Sequence, residues 1–214
     1  MLQTTHYIQQ SLSALLLFAL LLPAQAEINI TRGTASVTVE HQDREVTVSR
    51  NQDPRGVAAA PWNRTGRNCP PFCVQPMVAA PGVATVGISE VVEFMKNDLA
   101  VDAGMVIDAR TEEWFEKGTI PGSVNIPFTH LNRKHGGDDF TLSTAFEQFG
   151  AEEREGGWDF SNAKNLVLWC NGWWCGQSPA AIRGLLNEGY PAEKLFYFRG
   201  GMQNWQLYGL TVTH

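Results

Sequence analysis

The residues best suited to chemistry in this sequence are two cysteines five positions apart on one short segment. That segment reads Cys170-Asn171-Gly172-Trp173-Trp174-Cys175-Gly176-Gln177-Ser178. The nucleophilic form of cysteine is the thiolate, and nearby hydrogen-bond donors lower the thiol pKa from its usual value near 8.5. A loop with two glycines can turn several backbone N–H groups toward one anion. The pattern favours a nucleophilic thiol at Cys170, and the alternative is a buried structural cysteine.

The elements around Cys170 favour the first interpretation. Residues 166–170 read Leu-Val-Leu-Trp-Cys, which is typical of a buried strand that ends at the cysteine. Ser178 and Pro179 suit the N-cap and first position of a following helix. In parallel sheets, reactive groups collect beyond the carboxyl ends of the strands. The N–H groups of residues 171–176 and the helix N-terminus would then stabilise an anion beside the sulfur.

Strand and helix patterns alternate over residues 83–214. Short apolar runs at 104–108, 166–170 and 195–199 predict strands, and helices are expected after Ser89 and over 180–188 and 202–208. This alternation predicts an α/β fold, with a parallel sheet covered by helices on both faces.

The first 26 residues have the pattern of a secretory signal peptide. An apolar run at 11–22 precedes Ala24-Gln25-Ala26, a small-x-small cleavage pattern. The run is too short for a stable membrane span, which needs about 20 apolar residues. Residues 1–10 contain no Lys or Arg, so the export route stays open. We expect a mature chain that begins at Glu27 in the periplasm or outside the cell.

Residues 27–82 are predicted to form an N-terminal extension. Alternating valines at 37, 39, 46 and 48 indicate a small β-hairpin. Six prolines between residues 51 and 81 predict an irregular connector that wraps over the domain. The connector holds Cys69 and Cys73, for which a local disulfide is the favoured interpretation in an oxidising compartment. A shared metal site is the alternative, but the cysteine spacings match no standard zinc framework.

Composition excludes one class of partner. Hydrophobic residues make up 43% of the 214-residue chain and charged residues 18%, which is typical of a globular protein. The formal net charge is −6, and the sequence has no basic run of the kind that contacts nucleic-acid phosphates. We therefore expect no nucleic-acid partner.

Four motifs stand in an order that resembles a single rhodanese domain over residues 83–214. They are Val106-Ile107-Asp108-Ala109-Arg110, the run from Gly118 to Pro127, the Cys170 loop, and Arg199-Gly200-Gly201-Met202-Gln203-Asn204-Trp205. The resemblance implies a sulfurtransferase in which Cys170 takes the outer sulfur of a small donor as a persulfide and passes it to a thiol-type acceptor. It also implies backbone N–H groups of residues 171–176 as an anion cradle, a structural ion pair of Asp108 with Arg110, and no metal or organic cofactor.

The sequence departs from the rhodanese pattern at three places. Thr119 replaces the histidine that often precedes Ile-Pro-Gly. The active loop lacks the usual cation before its serine, and it is two residues longer, which puts thiosulfate in doubt as the donor. Cysteine phosphatases on this fold have larger loops, but they require an arginine six places after the cysteine, where this chain has Gly176.

Cys175 leaves alternatives open. It could resolve an oxidised Cys170, form a resting disulfide with it, or point into the core. A second hypothesis is therefore a non-catalytic or thiol-redox accessory module. Such a module would bind a periplasmic partner through the Trp173-Trp174 loop and the connector. The two tryptophans could form an exposed docking surface, and the alternative is that at least one of them packs into the core.

Overall fold

The computed structural model describes residues 27–214, so the expected signal peptide at 1–26 lies outside it. Its strands are β1 (Ser36–His41), β2 (Arg44–Ser49), β3 (Ala84–Val86), β4 (Gly104–Asp108), β5 (Ser123–Asn125), β6 (Glu152–Arg154), β7 (Gly157–Asp159), β8 (Asn165–Trp169) and β9 (Leu195–Phe198). Its α-helices are α1 (Ile88–Asn97), α2 (Glu112–Glu116), α3 (Phe128–Leu131), α4 (Asp139–Gln148), α5 (Gln177–Asn187) and α6 (Gly201–Leu207).

A five-stranded parallel sheet in the order β3-β9-β8-β4-β5 forms the centre of the fold. Strand β8 lies in the middle, with β4 and β9 paired in parallel on either side. Because all carboxyl ends of a parallel sheet meet at one edge, the residue after β8 lies at the centre of that edge. That residue is Cys170.

Alternating strand side chains create a hydrophobic core on each face of the sheet. On one face, Ile107, Leu168 and Tyr197 are fully buried in a core that also contains apolar side chains of α3, α4 and α5. On the other, Val167 and Phe198 pack with apolar residues of α1 and α6. The predicted α/β fold with helices on both faces is confirmed.

The predicted hairpin is also confirmed, since β1 and β2 pair antiparallel ahead of the sheet. Val37, Val39 and Val48 belong to the same core as α1 and α6. Arg50 also forms a β-bridge with Leu210 near the end of the chain. The hairpin is therefore packed onto the second face of the sheet.

The start of α1 differs from the sequence expectation. The N-cap is Gly87 rather than Ser89, and the Glu90 carboxylate accepts a hydrogen bond from the Gly87 N–H at 2.9 Å. A side chain three residues into the helix thus satisfies an N-terminal N–H group, so Ser89 is not needed as a cap.

The connector between the hairpin and β3 is irregular and follows the surface above the carboxyl edge of the sheet. Trp62 anchors it in the second core. Further along, the Gln75 N–H donates to the Trp173 carbonyl at 2.7 Å, and Arg199 donates to the Gln75 carbonyl at 2.8 Å. The connector is thereby attached to the loop that follows β8.

Within residues 27–214, no helix is both long and apolar enough to cross a membrane.

Candidate active site

The start of α6 holds the Cys170 loop in place. The N–H of Met202 donates to the Cys170 carbonyl at 2.9 Å, and the N–H of Gln203 donates to the Asn171 carbonyl at 3.0 Å. Gly201 has φ +51°, and a Cβ at this position would collide with the Cys170 carbonyl oxygen. A glycine is required here because the helix backbone approaches the loop so closely.

Cys170 is a free, buried thiol with only 2% of its surface exposed. Burial by itself raises the pKa of this thiol, because the thiolate loses its hydration. Hydrogen bonds from the Cys175 thiol, the Ser178 hydroxyl and the N–H groups of Ser178 and Gly172 outweigh burial and lower the pKa to about 7. These donors therefore favour the thiolate form of Cys170.

Ser178 has a different role from the one expected. Helix α5 begins at Gln177 with Gly176 as its N-cap, so Ser178 is not the cap. The Ser178 hydroxyl instead donates to the Cys170 sulfur at 3.1 Å. Pro179 is tolerated in the first helical turn because its missing N–H would have no intrahelical acceptor there.

Cys175 is the second free thiol and shares the loop with Cys170. Burial and the neighbouring Cys170 sulfur raise the Cys175 pKa well above its usual value, so this thiol stays protonated. The N–H groups of Gln177 and Asn171 point at its sulfur. Part of the predicted anion cradle is therefore directed at Cys175 rather than at Cys170.

Asp108 and Arg110 form a fully buried ion pair beneath the loop. Arg110 Nη2 lies 2.6 Å from Asp108 Oδ2, and Arg110 Nε donates to Asp108 Oδ1 at 2.8 Å. The Arg110 backbone N–H and the Thr119 hydroxyl also donate to the carboxylate, at 3.1 and 2.9 Å. Arg110 also donates to the Asn171 side chain at 3.4 Å. The pair supports the loop from below and does not contact the Cys170 sulfur.

The two tryptophans of the loop do not form an exposed pair. Trp174 is only 8% exposed, and Trp173 is half-buried. The Trp174 indole N–H donates to the Gln203 side chain, and the guanidinium of Arg67 lies 3.8 Å from the centre of the Trp174 ring. Of the two alternatives for this pair, Trp174 follows the packed one, because α6 and the connector cover it.

The sulfur atoms of Cys69 and Cys73 lie together in the connector, with their Cα atoms 4.5 Å apart. Phe72, between the two cysteines, packs edge-on against Trp174 at 5.4 Å. This places the short cysteine loop beside the Cys170 loop.

Within residues 27–214, no group of three or more His, Cys, Asp or Glu side chains is arranged to hold a metal ion.

A cavity of about 590 Å³ opens over the Cys170 loop. Asn171, Cys175 and Gly176 form its floor, while the connector and α5 form its walls. The connector residues that line it are Pro61, Trp62, Arg64, Arg67, Pro71 and Phe72. Sequence reasoning did not assign these residues to the site, because a proline-rich segment has no periodicity from which its contacts could be predicted.

The sequence model of the Rhodanese-like domain family matches residues 89–208, more than half of the chain. An HTH-type transcriptional regulator of Mycobacterium tuberculosis is 26% identical over 113 residues, which are 52% of this chain and 39% of the regulator's length. The chain therefore matches well under half of that curated relative.

Two solved sulfurtransferases match part of the chain. The human single-domain sulfurtransferase is 20% identical with a TM-score of 0.39, and the match covers 57% of this chain and 95% of the human chain. The thiosulfate sulfurtransferase of Pseudomonas aeruginosa is also 20% identical with a TM-score of 0.42, and the match covers 62% of this chain and 20% of the other. The family match itself spans the strands and helices that hold Cys170, so the chain belongs to the rhodanese-like domain family.

Proposed function

We propose that the protein is an exported sulfurtransferase or persulfide carrier in which Cys170 takes up a sulfane sulfur atom. The observation that carries this proposal is the Cys170 thiol, with a pKa of about 7, at the carboxyl edge of a rhodanese-like sheet. Cofactors play no part in this chemistry, because sulfur and thiolate are the only reacting groups.

The reaction takes two steps. The Cys170 thiolate attacks the outer sulfur of a donor, a new sulfur–sulfur bond forms, and the donor's own sulfur–sulfur bond breaks with its electron pair leaving on the remainder. An acceptor thiolate then attacks the outer sulfur of the Cys170 persulfide, and the Cys170 thiolate leaves. Covalent catalysis of this kind splits one transfer into two easier steps.

The Ser178 hydroxyl and the N–H groups of Gly172 and Ser178 support both steps. They stabilise negative charge on the Cys170 sulfur before attack and again when it leaves.

Export places the chain, from Glu27 onward, in an oxidising compartment, where a Cys69–Cys73 disulfide would close the connector loop.

A single-turnover transfer assay tests the proposal. Reduced protein is incubated with excess donor, desalted, and mixed with a thiol acceptor, and the sulfane sulfur that reaches the acceptor is measured. We expect about one equivalent from the wild type and background from Cys170→Ser. Equal transfer by the two proteins would contradict a role for Cys170.

A second candidate function is a thiol-redox accessory module that binds a periplasmic partner. Its support is Cys175, a protonated thiol that hydrogen-bonds to Cys170 and lines the cavity. Attack by Cys175 on the inner sulfur of a Cys170 persulfide would give a Cys170–Cys175 disulfide and release hydrosulfide. A dithiol reductant would then be needed to restore the two thiols.

Thiol trapping separates the two functions. Protein treated with one equivalent of donor is alkylated without reduction and mapped by mass spectrometry. A persulfide on Cys170 with Cys175 alkylated supports the sulfur carrier. A Cys170–Cys175 disulfide with free sulfide in solution supports the redox module.

A further inference from the structure

The cavity over the Cys170 loop carries positive charge that no acidic residue balances. Arg64, Arg67 and Arg183 line it, and its lining includes no Asp or Glu. The whole chain has 16 Lys and Arg against 22 Asp and Glu, so a cavity lined by arginines without any Asp or Glu departs from the overall acidic character. None of the three arginines is paired with a carboxylate within residues 27–214.

Arg67 is the most constrained of the three cations. Its guanidinium lies over the Trp174 ring, and its Nε is buried without a hydrogen-bond partner in the part of the chain that the structure describes. Burial and the nearby charge of Arg64 both lower the pKa of Arg67. Arg64 is exposed and Arg67 is half-buried, and both line the same cavity. Two cations on one cavity wall favour the binding of an anion there.

Tryptophan and phenylalanine side chains also line the cavity: Trp62, Phe72, Trp114, Phe128 and Trp174. Trp62 and Trp114 are in contact, with ring centres 5.9 Å apart, and Phe72 packs on Trp174. A cavity of about 590 Å³ is in the range that encloses an organic ligand, roughly 300 to 1,000 Å³. A small inorganic anion such as thiosulfate would leave most of these aromatic surfaces without contact.

Two arginines and two aromatic rings of the cavity lining come from outside the residues that the family model matches. Trp62, Arg64, Arg67 and Phe72 precede residue 89, where the family match begins. Gln203, on α6, donates to the carbonyls of Trp62 and Arg64 at 3.2 and 3.3 Å. The N-terminal extension is thus held as a fixed wall of the site.

We propose that the connector makes this site selective for organic anions with an aromatic or bulky apolar group, bound with their anionic group at Arg64 and Arg67. This proposal rests on the sulfur-transfer function proposed above, for which the donors would be organic anions that carry a sulfane sulfur. For an aromatic thiosulfonate, Cys170 would bond to the outer sulfur, and the aromatic sulfinate would leave with the electron pair of the broken sulfur–sulfur bond.

Binding is tested first without chemistry. Naphthalene-2-sulfonate, which has no sulfur to transfer, is titrated into Cys170→Ser protein by calorimetry. We expect saturable binding that Arg67→Met weakens about tenfold, because a charge-assisted contact is lost, and that Arg67→Lys partly restores. Arg55→Met is the matched control, since Arg55 lies in the same connector but is 89% exposed and outside the cavity. If the sulfonate does not bind, or if Arg67→Met binds it as tightly as the parent protein does, the proposed anion site is contradicted.

Donor selectivity is tested separately with protein that retains Cys170. Benzenethiosulfonate and thiosulfate are compared by the initial rate of sulfur addition, followed by intact mass. We expect the aromatic donor to react at least about tenfold faster, and Arg67→Met to reduce that ratio. Equal rates in the wild type would overturn the donor assignment while leaving sulfur transfer intact. No sulfur addition from either donor would overturn the proposed function and the donor assignment together, even if the sulfonate binds.

Discussion

At the scale of single residues, the chemistry depends on how a buried thiol becomes a thiolate. Cys170 is surrounded by hydrogen-bond donors rather than by a cation, so its pKa reflects a balance between burial and hydrogen bonding. Each donor therefore has a measurable effect on the pH at which the thiol becomes reactive.

The alkylation rate of Cys170 should follow this pKa. Because only the thiolate reacts, the rate with iodoacetamide rises with pH and reaches half its maximum near pH 7, below the value near 8.5 of an ordinary thiol. In Ser178→Ala the midpoint moves to higher pH, since one donor to the thiolate is lost. Ser89→Ala, an exposed change on α1, keeps the wild-type midpoint. An unchanged midpoint in Ser178→Ala would contradict this account of the thiolate.

The buried Asp108–Arg110 pair should matter for stability. Asp108→Ala leaves the fully buried Arg110 guanidinium without its carboxylate, at a cost of about 3–5 kcal/mol in the free energy of unfolding. Urea unfolding measures the loss. Glu113→Ala, which breaks an exposed pair with Lys117, should change the unfolding midpoint very little. A similar loss of stability in Asp108→Ala and Glu113→Ala would show that the buried pair contributes no more than the exposed pair.

At the scale of elements, the loop after β8 and the first turn of α6 form one unit. Part of this unit could be predicted from the sequence and part of it could not. The apolar run before Cys170 predicted its place at a strand end, because burial on both faces leaves a clear sequence pattern. The role of Ser178 was not predictable, because a serine at a helix start can cap the helix or turn its hydroxyl to a tertiary partner. The position of the Cys170 sulfur decides between these two roles of Ser178, capping and a tertiary hydrogen bond.

Gly201→Ala tests the contact between the loop and α6. The added Cβ meets the Cys170 carbonyl, and alanine disfavours φ +51°, so we expect a loss of at least about 1 kcal/mol in stability and slower alkylation of Cys170. Gly33→Ala, whose Cβ would have no neighbour within 4 Å, is the control. Wild-type stability and reactivity in Gly201→Ala would mean that the two backbones do not need to approach this closely.

At the scale of the whole molecule, the N-terminal extension is part of the fold rather than an appendage. Alternating valines predicted the hairpin, since β1 and β2 have one buried face with a period of two. The path of the connector could not be predicted, because its contacts join residues far apart in sequence, such as Gln75 with Trp173. Contacts with Arg67, Phe72 and Gln203 also bury Trp174, whose exposure the local sequence left open.

Because the hairpin shares a core with α1 and α6, residues 27–214 should unfold in one transition. Val48 is fully buried in that core, and Val48→Ala should lower the free energy of unfolding by about 1–3 kcal/mol. Tryptophan fluorescence and circular dichroism should report the same shifted midpoint. Two separate transitions, with Val48→Ala affecting only one, would contradict the shared core.

Intact-mass analysis of reduced mature protein, before and after incubation with a sulfane-sulfur donor, tests directly whether Cys170 carries sulfur. We expect a gain in mass of one sulfur atom on the wild type and on Cys175→Ser, mapped to Cys170 and reversed by a thiol acceptor, and no gain on Cys170→Ser. A wild type that gains no sulfur from any donor, or a Cys170→Ser protein that gains as much as the wild type, would contradict the assignment of Cys170 as the sulfur-carrying nucleophile.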